Sequence, residues 1–160
     1  MHMIRNLLYG LTAAGALLAG AAMAQPTSLK ILQPTTRATP LPGMTAVGYL
    51  QIENDGRSDD RLLGAHSTAA DSVEIHQMRT TGGMMQMRPL KEGLAVPAGA
   101  RVDLRADAAS GYHLMVIGVK QQLNPGDRLP LVLDFEKAGA VPVDFVVQPL
   151  ADTASGKPAP

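Results

Sequence analysis

The chain has 160 residues, no cysteine, and 14 basic and 14 acidic side chains, so its formal net charge is zero. Without cysteine it can form neither a disulfide nor a thiolate metal site. The sequence also has no run of lysine and arginine and few aromatic residues, which are the features that hold nucleic acid. The composition therefore excludes thiol redox chemistry and nucleic-acid binding.

Residues 1–24 have the pattern of a cleavable secretory signal peptide. Arg5 gives a positive start, residues 7–22 form an apolar core, and Ala22-Met23-Ala24 is a small-x-small cleavage site. A membrane anchor is the alternative, because the apolar segment approaches the roughly 20 residues that a spanning helix needs. Its glycines and the Ala-x-Ala end favour cleavage, and the chain has no cysteine for lipid attachment. We therefore expect export to the periplasm and no stable membrane insertion after cleavage.

Residues 25–150 are predicted to form one all-β domain. Many short apolar segments alternate with turn sequences such as Asn54-Asp55-Gly56 and Thr81-Gly82-Gly83, and no long helical period is present. This spacing predicts a β-sandwich. Residues 151–160 are small, polar and proline-bearing, which predicts a disordered tail. The predicted strands are Ser28–Leu32, Ala46–Glu53, Arg61–Ala65, Ser72–Gln77, Met84–Arg88, Leu94–Val96, Arg101–Leu104, Tyr112–Val119, Arg128–Asp134 and Ala140–Gln148.

Four residues form a pattern suited to a soft metal ion: His76, Met87, His113 and Met115. Neutral imidazole and thioether groups select copper in its lower oxidation state, Cu(I), over harder ions. His113 and Met115 share one face of their predicted strand, because residues i and i+2 project together. His76 points away from the apolar face of its own strand. A second histidine–methionine pair from a neighbouring hairpin would complete four-coordination.

Each of these residues also has a plain structural interpretation. A histidine near a strand end is usually solvated, and methionine often fills gaps in a core. The local density favours a site, because five of the six methionines after residue 24 lie between His76 and Met115. We expect His66 to face solvent without binding metal, and Met44 to be structural.

The chain resembles the periplasmic copper chaperones called PCu(A)C over about residues 29–148. The resemblance is carried by Val73-Glu74-Ile75-His76, Met84-Met85-Gln86-Met87-Arg88-Pro89, Val96-Pro97-Ala98-Gly99 and Gly111-Tyr112-His113-Leu114-Met115. It implies a cupredoxin-like Greek-key β-sandwich with one exposed Cu(I) site, whose ligands correspond to His76, Met87, His113 and Met115. It also implies delivery of copper to an acceptor such as the Cu(A) subunit of cytochrome c oxidase or another copper chaperone.

One segment departs from the family pattern. The stretch between Met87 and His113 is a few residues longer than usual, and most of the excess falls in residues 105–110. We expect a longer hairpin turn there, because added length in a surface loop costs little closure entropy.

Other classes of protein fit the sequence less well. An electron-transfer cupredoxin needs a cysteine thiolate at its copper. A hydrolase could be assembled from Ser72, Glu74 and His76, but no nucleophile elbow accompanies them. A non-metal periplasmic adhesion or assembly module is the main alternative, because a β-sandwich alone implies no function. The sequence therefore predicts a copper chaperone without enzymatic activity, and metal content after purification would separate it from that module.

Overall fold

The computed structural model describes residues 28–105 and 111–150, which contain ten strands and no helix. The strands are β1 (Leu29–Arg37), β2 (Ala46–Asn54), β3 (Asp60–His66), β4 (Ser72–Thr81), β5 (Met84–Pro89), β6 (Leu94–Val96), β7 (Arg101–Leu104), β8 (Tyr112–Ile117), β9 (Arg128–Phe135) and β10 (Gly139–Gln148). The predicted all-β class is confirmed, and every predicted strand is present, two with the predicted bounds (β6 and β7) and eight with one or both ends shifted. Across these two ranges no helix is long and apolar enough to cross a bilayer. The predicted signal peptide, the predicted tail and residues 106–110 lie outside the described residues.

Seven of the strands form a closed ring. Their order is β4-β8-β2-β1-β10-β9-β3, and β3 pairs again with β4. All these pairs are antiparallel except β1 with β10. The ring closes through a single residue pair, Ala65 with Val73. Strand β5 extends from β4 and β6 from β3, so both lie outside the ring.

The core inside the ring is almost wholly aliphatic. Strand β2 alternates buried and half-buried residues along its whole length, which is the two-residue period of a strand with one face in the core. Val73 and Ile75 of β4 are buried, so His76 projects from the other face, as predicted. Burying one large aliphatic side chain stabilises the fold by about 1.5–3 kcal/mol. The largest fully buried side chains are Phe145, Leu50, Ile52, Leu62, Leu104, Leu114, Leu123, Leu129, Leu131, Leu133, Val96 and Val116.

Strand β1 continues beyond its predicted end at Leu32. Its pairing with β2 shifts register between Leu32 and Thr35, and Gln33 has a φ of 49°. The bulge accommodates Pro34, which has no N–H to donate to a regular ladder. After the bulge, residues 35–37 pair in parallel with β10. No local pattern predicts this pairing, because the partner residues of β10 lie over 100 positions later in the chain.

The expected hairpin between β7 and β8 is wrong. Both strands pair antiparallel with β2: Leu50 is opposite Leu104, and Gly48 is opposite Leu114. Two strands that are each antiparallel to β2 run in the same direction, so they cannot form a hairpin with each other. They are successive parts of one line along β2, and residues 106–110, where the longer turn was expected, lie outside the described residues.

A tight turn joins β4 to β5 and fixes their register. Gly82 and Gly83 have φ values of 60° and 79°, and Thr81 is paired with Met84. Two positive φ angles in a two-residue loop are the type I′ geometry, which fits the twist of a hairpin and is easiest for glycine. The ladder continues to the pair of His76 with Pro89. Among the described residues, the part of β4 beyond Met78 is paired only with β5, so the tip of this hairpin extends past β8.

Gly111 lies where β8 meets β4, and we predict that this position requires glycine. Its φ is +63°, and an added Cβ would lie 2.5 Å from the Met78 carbonyl oxygen. A left-handed backbone conformation costs residues other than glycine about 1–2 kcal/mol. Gly111→Ala should therefore lower the free energy of unfolding by at least that amount.

Gly64→Ala is the matched control, because Gly64 has open space around its Cα and no positive φ. It should change stability by no more than about 0.5 kcal/mol. Urea unfolding of both variants checks the prediction. Equal effects of the two substitutions would contradict the steric requirement at Gly111.

Candidate metal centre

Two of the predicted ligands, His76 and His113, lie side by side on the outer face of the sheet. They are directly opposite each other in the β4–β8 ladder. Their ring centroids are 5.9 Å apart, and the ring planes are inclined at 58°. His113 is only 3% exposed although it faces away from the core residue Leu114. The structure therefore brings the two histidines together and buries His113, while Met87 keeps half of its surface exposed.

Both imidazoles have a buried Nδ1 atom without a hydrogen-bond partner. By contrast, two buried polar side chains elsewhere in the fold, Asn54 and Asp60, are satisfied. Asn54 donates from its amide to the carbonyls of Ser58 and Val96, and Asp60 accepts from three backbone N–H groups. An unpaired buried polar atom in a native protein calls for an explanation, such as an ion that binds there. Two such unpaired nitrogen atoms on adjacent rings indicate a binding site for a cation, which would accept their lone pairs.

Glu74 determines which nitrogen of His76 is free. The Nε2 atom of His76 lies 2.8 Å from the Glu74 carboxylate. An ionised carboxylate can only accept, so Nε2 carries the hydrogen and donates it. In the neutral ring, Nδ1 then holds the lone pair. A carboxylate that fixes the tautomer and orientation of a histidine is the usual partner of a metal-binding imidazole.

Burial favours the neutral form of His113. Desolvation lowers the pKa of His113 below its ordinary value, and the charge of a protonated His76 would lower it further. Because only the neutral ring offers a lone pair, a lowered pKa keeps His113 ready to bind a cation near neutral pH.

The ladder places the two predicted methionines at opposite corners of His76. Met115 is opposite Glu74 on β8, and Met87 is opposite Met78 on β5. Diagonal neighbours in a sheet are about 7–8 Å apart, which long side chains can bridge. All four predicted ligands therefore share one face of the sheet. Met87 is half exposed, whereas Met115 is partly buried.

Two residues of this face were missed at the level of the sequence. Met78 lies two residues after His76 on the same face, and by register it is as close to the histidines as Met87. Glu74 lies two residues before His76. The period of two already places Glu74 on the face of His76, but the only chemical role weighed for it was in a hydrolase. Met78 was missed as a neighbour of His76 because the predicted strand ended at Gln77.

The remaining candidate residues behave as expected. His66 is largely exposed and pairs with Asp134 at 2.8 Å on another part of the molecule. Met44 is also exposed, and its carbonyl accepts the Val119 N–H. Neither is part of the histidine face.

The separation of the histidine rings fits a shared metal ion. An imidazole–metal bond is about 2.0–2.1 Å for zinc, and the nitrogen lies about 1.2 Å from the ring centre, so two rings on one ion have centroids up to about 6.5 Å apart. The observed 5.9 Å is within that limit. Across residues 28–105 and 111–150, no three His, Asp or Glu side chains cluster as a metal site. The methionines Met87 and Met115 lie on the same face as the histidine pair.

The LpqE-like family profile, described as "Putative lipoprotein LpqE-like", matches residues 29–147. The chain belongs to the LpqE-like family. This LpqE-like chain is 33% identical over 106 residues to "Putative lipoprotein Lxx21020" of Leifsonia xyli subsp. xyli. That alignment covers 66% of this chain and 61% of the relative, so the chain spans about three fifths of the relative's length.

Solved structures confirm the predicted cupredoxin-like fold and the resemblance to PCu(A)C proteins. The LpqE-like chain is similar to the copper-bound PCuAC domain from PmoF2, with a TM-score of 0.60 and 27% identity over 77% of this chain and 94% of that domain. It is also similar to apo-DR1885 from Deinococcus radiodurans, with a TM-score of 0.59 over 94% of this chain and 97% of that one. The second likeness, at 24% identity, supports the fold alone.

We predict that His113 of the metal-free LpqE-like protein titrates below the ordinary histidine pKa of about 6.5. Because burial disfavours its charged form, the unfolded chain binds a proton at a pH where the folded one does not. The stability contributed by neutral His113 is therefore present above pH 6.5 and is lost as the pH falls through the folded pKa.

An NMR titration of the His113 ring protons measures the pKa directly. Urea unfolding between pH 7.5 and 5 should show a smaller loss of stability for His113→Gln than for the parent. A His113 midpoint at or above 6.5 would contradict the prediction.

Proposed function

We propose that this protein binds one Cu(I) ion tightly through His76, Met87, His113 and Met115 and carries it to another protein. The observation that carries the proposal is the pair of buried, unpartnered Nδ1 atoms on facing histidines. Methionines adjoin that pair on the same face of the sheet. The copper-bound PCuAC domain from PmoF2, 27% identical to this chain, supports copper as the ligand.

The donor set favours Cu(I) over harder or more highly charged ions. Thioethers and neutral imidazoles are soft donors, whereas magnesium, calcium and manganese prefer carboxylate and carbonyl oxygens. Cu(I) has a filled d shell and makes little demand on geometry, so two histidines and two flexible methionines can satisfy it. Four neutral ligands leave the site with the single positive charge of the ion, and the nearby Glu74 carboxylate compensates it.

Transport fits this site better than catalysis. Met87 is half exposed and belongs to β5, a strand paired on one side only. An acceptor can therefore approach from solvent and replace the methionine before the buried His113. We infer that copper leaves through an intermediate in which donor and acceptor each supply ligands, with no change in its oxidation state.

We place this transport in the periplasm, after cleavage of residues 1–24. The signal-peptide pattern supports export, as does the relative's description as a lipoprotein. The acceptor suggested by the family resemblance is the Cu(A) subunit of cytochrome c oxidase, or another copper chaperone.

Removing any one of the four donors should weaken Cu(I) binding. His76→Ala, His113→Ala, Met87→Leu and Met115→Leu each lose a direct bond to copper. Loss of a residue that hydrogen-bonds to a metal ligand lowers the metal affinity of a site by about 10–100-fold. Loss of a direct ligand should lower the Cu(I) affinity by at least as much. The measurement is an anaerobic Cu(I) titration against a competing chelator, with circular dichroism to confirm folding.

His66→Ala is the control, because His66 is exposed and paired with Asp134 away from the site. It should bind copper as the parent does. Unchanged affinity in His113→Ala or Met115→Leu would remove that residue from the ligand set. A parent protein that binds no Cu(I) would leave the non-metal adhesion or assembly module as the better explanation.

Glu74 should act as a positioning residue for His76. Glu74→Ala removes the carboxylate that accepts from Nε2, so His76 loses its preferred tautomer and orientation. We expect Cu(I) affinity to fall by about 10–100-fold. Glu74→Gln should have a smaller effect, because the amide oxygen still accepts a hydrogen bond.

Nitrogen NMR of the metal-free protein provides a separate readout. In the parent, Nε2 of His76 should carry the hydrogen, and in Glu74→Ala the two tautomers should mix. Glu92→Ala is the control, since Glu92 is an exposed carboxylate outside the histidine face. An unchanged tautomer in Glu74→Ala would show that Glu74 does not orient the ring.

A further inference from the structure

Three methionines form a continuous row on the hairpin beside the histidines. Met78 is directly opposite Met87 in the β4–β5 ladder, and Met85 lies two residues before Met87 on the same face of β5. We call Met78, Met85 and Met87 the methionine ladder. The fourth methionine of the hairpin, Met84, is adjacent to Met85 in sequence and therefore projects from the opposite face.

The turn makes this arrangement a fixed property of the fold. The pair of Thr81 with Met84 flanks the two-residue Gly82-Gly83 loop, and each later pair follows from it. A slip of one residue would move every side chain of β5 to the other face. The type I′ geometry of the turn opposes such a slip, so the three thioethers stay on the face that carries His76 and His113.

Exposure increases along the ladder away from the histidines. Met78 is partly buried, Met87 is 50% exposed and Met85 is 71% exposed. Packing in a core does not explain Met85 and Met87, because half or more of each residue is exposed. A row of soft donors therefore leads from solvent to the unpartnered imidazole nitrogens.

We propose that the methionine ladder is a second Cu(I) site, made of thioethers only, that shares Met87 with the four-ligand site. Neighbouring positions in a hairpin lie within about 4.5–8 Å, so three long methionine side chains can converge on one ion. Thioether sulfur selects Cu(I) among biological metal ions. The site is weaker than the His/Met site, because it has one donor fewer and stands in water.

The ladder gives copper a route into and out of the buried site. An ion held by Met78, Met85 and Met87 reaches His76 by forming one new bond while it releases Met85. Copper stays Cu(I) throughout, so the exchange needs no oxidant, reductant or proton. This role rests on the proposed function, but binding of copper by the ladder can be tested by itself.

The test compares Met85→Leu with Met84→Leu. Both residues are exposed and adjacent in the hairpin, and each change removes one sulfur at nearly constant size, so both variants should fold. Met87 belongs to both sites, so when the four-ligand site is filled the ladder holds a second ion through Met78 and Met85, at a coordination number of two that Cu(I) accepts. In an anaerobic titration with Cu(I) and a weak chelator, the parent should therefore bind one tight and one weaker equivalent. Met85→Leu should weaken the second at least about tenfold and leave the first unchanged, while Met84→Leu should match the parent.

A second comparison separates this inference from the proposed function. His113→Ala should lose the tight equivalent and keep the weaker one, since His113 is not part of the ladder. If His113→Ala still bound one equivalent of Cu(I) tightly, the four-ligand site would be contradicted, but the methionine ladder would not. The ladder is overturned if the parent has no second equivalent, or if Met84→Leu and Met85→Leu have the same effect on it. The latter result would point to an apolar surface for another protein.

Discussion

The backbone hydrogen bonds between β4 and β8 set His76 directly opposite His113, and the rest of the site depends on this pairing. Successive side chains of a strand point to opposite faces of the sheet. In the observed register both imidazoles lie outside the core, whereas a shift of β8 by one residue would turn His113 into the core. Core residues hold the register, since Ile75 and Leu114 form the next pair and both are buried. Hydrophobic packing on the inner face therefore determines chemistry on the outer face.

This arrangement has a cost in the metal-free protein. A buried polar atom without a partner destabilises a fold by about 1–3 kcal/mol. His76 and His113 each have such an atom, whereas Asn54 and Asp60 do not. The aliphatic core tolerates this cost. A bound cation would remove it, so copper binding should be coupled to the stability of the whole domain.

The period of two residues was enough to predict most of the site from the sequence. It placed His76 away from Val73 and Ile75, and it paired His113 with Met115 on one face. It could not show that His113 would be buried, because that depends on how neighbouring strands cover the face. Met78 was missed because β4 was predicted to end at Gln77, and the strand continues only because β5 pairs with it.

The error at residues 105–110 has a different origin. Local sequence suggested that two strands joined by a turn would pair with each other, which is the commonest arrangement. Instead β7 and β8 both pair with β2, whose residues lie about 50 or more positions earlier in the chain. The parallel pairing of β1 with β10 escaped detection for the same reason. Hairpins can be inferred from a turn sequence, whereas such distant pairings depend on the whole core.

The hairpin tip that extends beyond β8 divides the proposed copper ligands between a rigid body and an arm. His76, His113 and Met115 lie in the ring, whereas Met87 lies on β5, which within the described part of the chain pairs with β4 alone. Elements with few partners open at a free energy well below that of global unfolding. Local fraying of the arm would thus take the site from four donors to three while the sandwich stays folded. The number of ligands bound to copper would then depend on the conformation of the hairpin, and a partner protein that binds the hairpin could change that number.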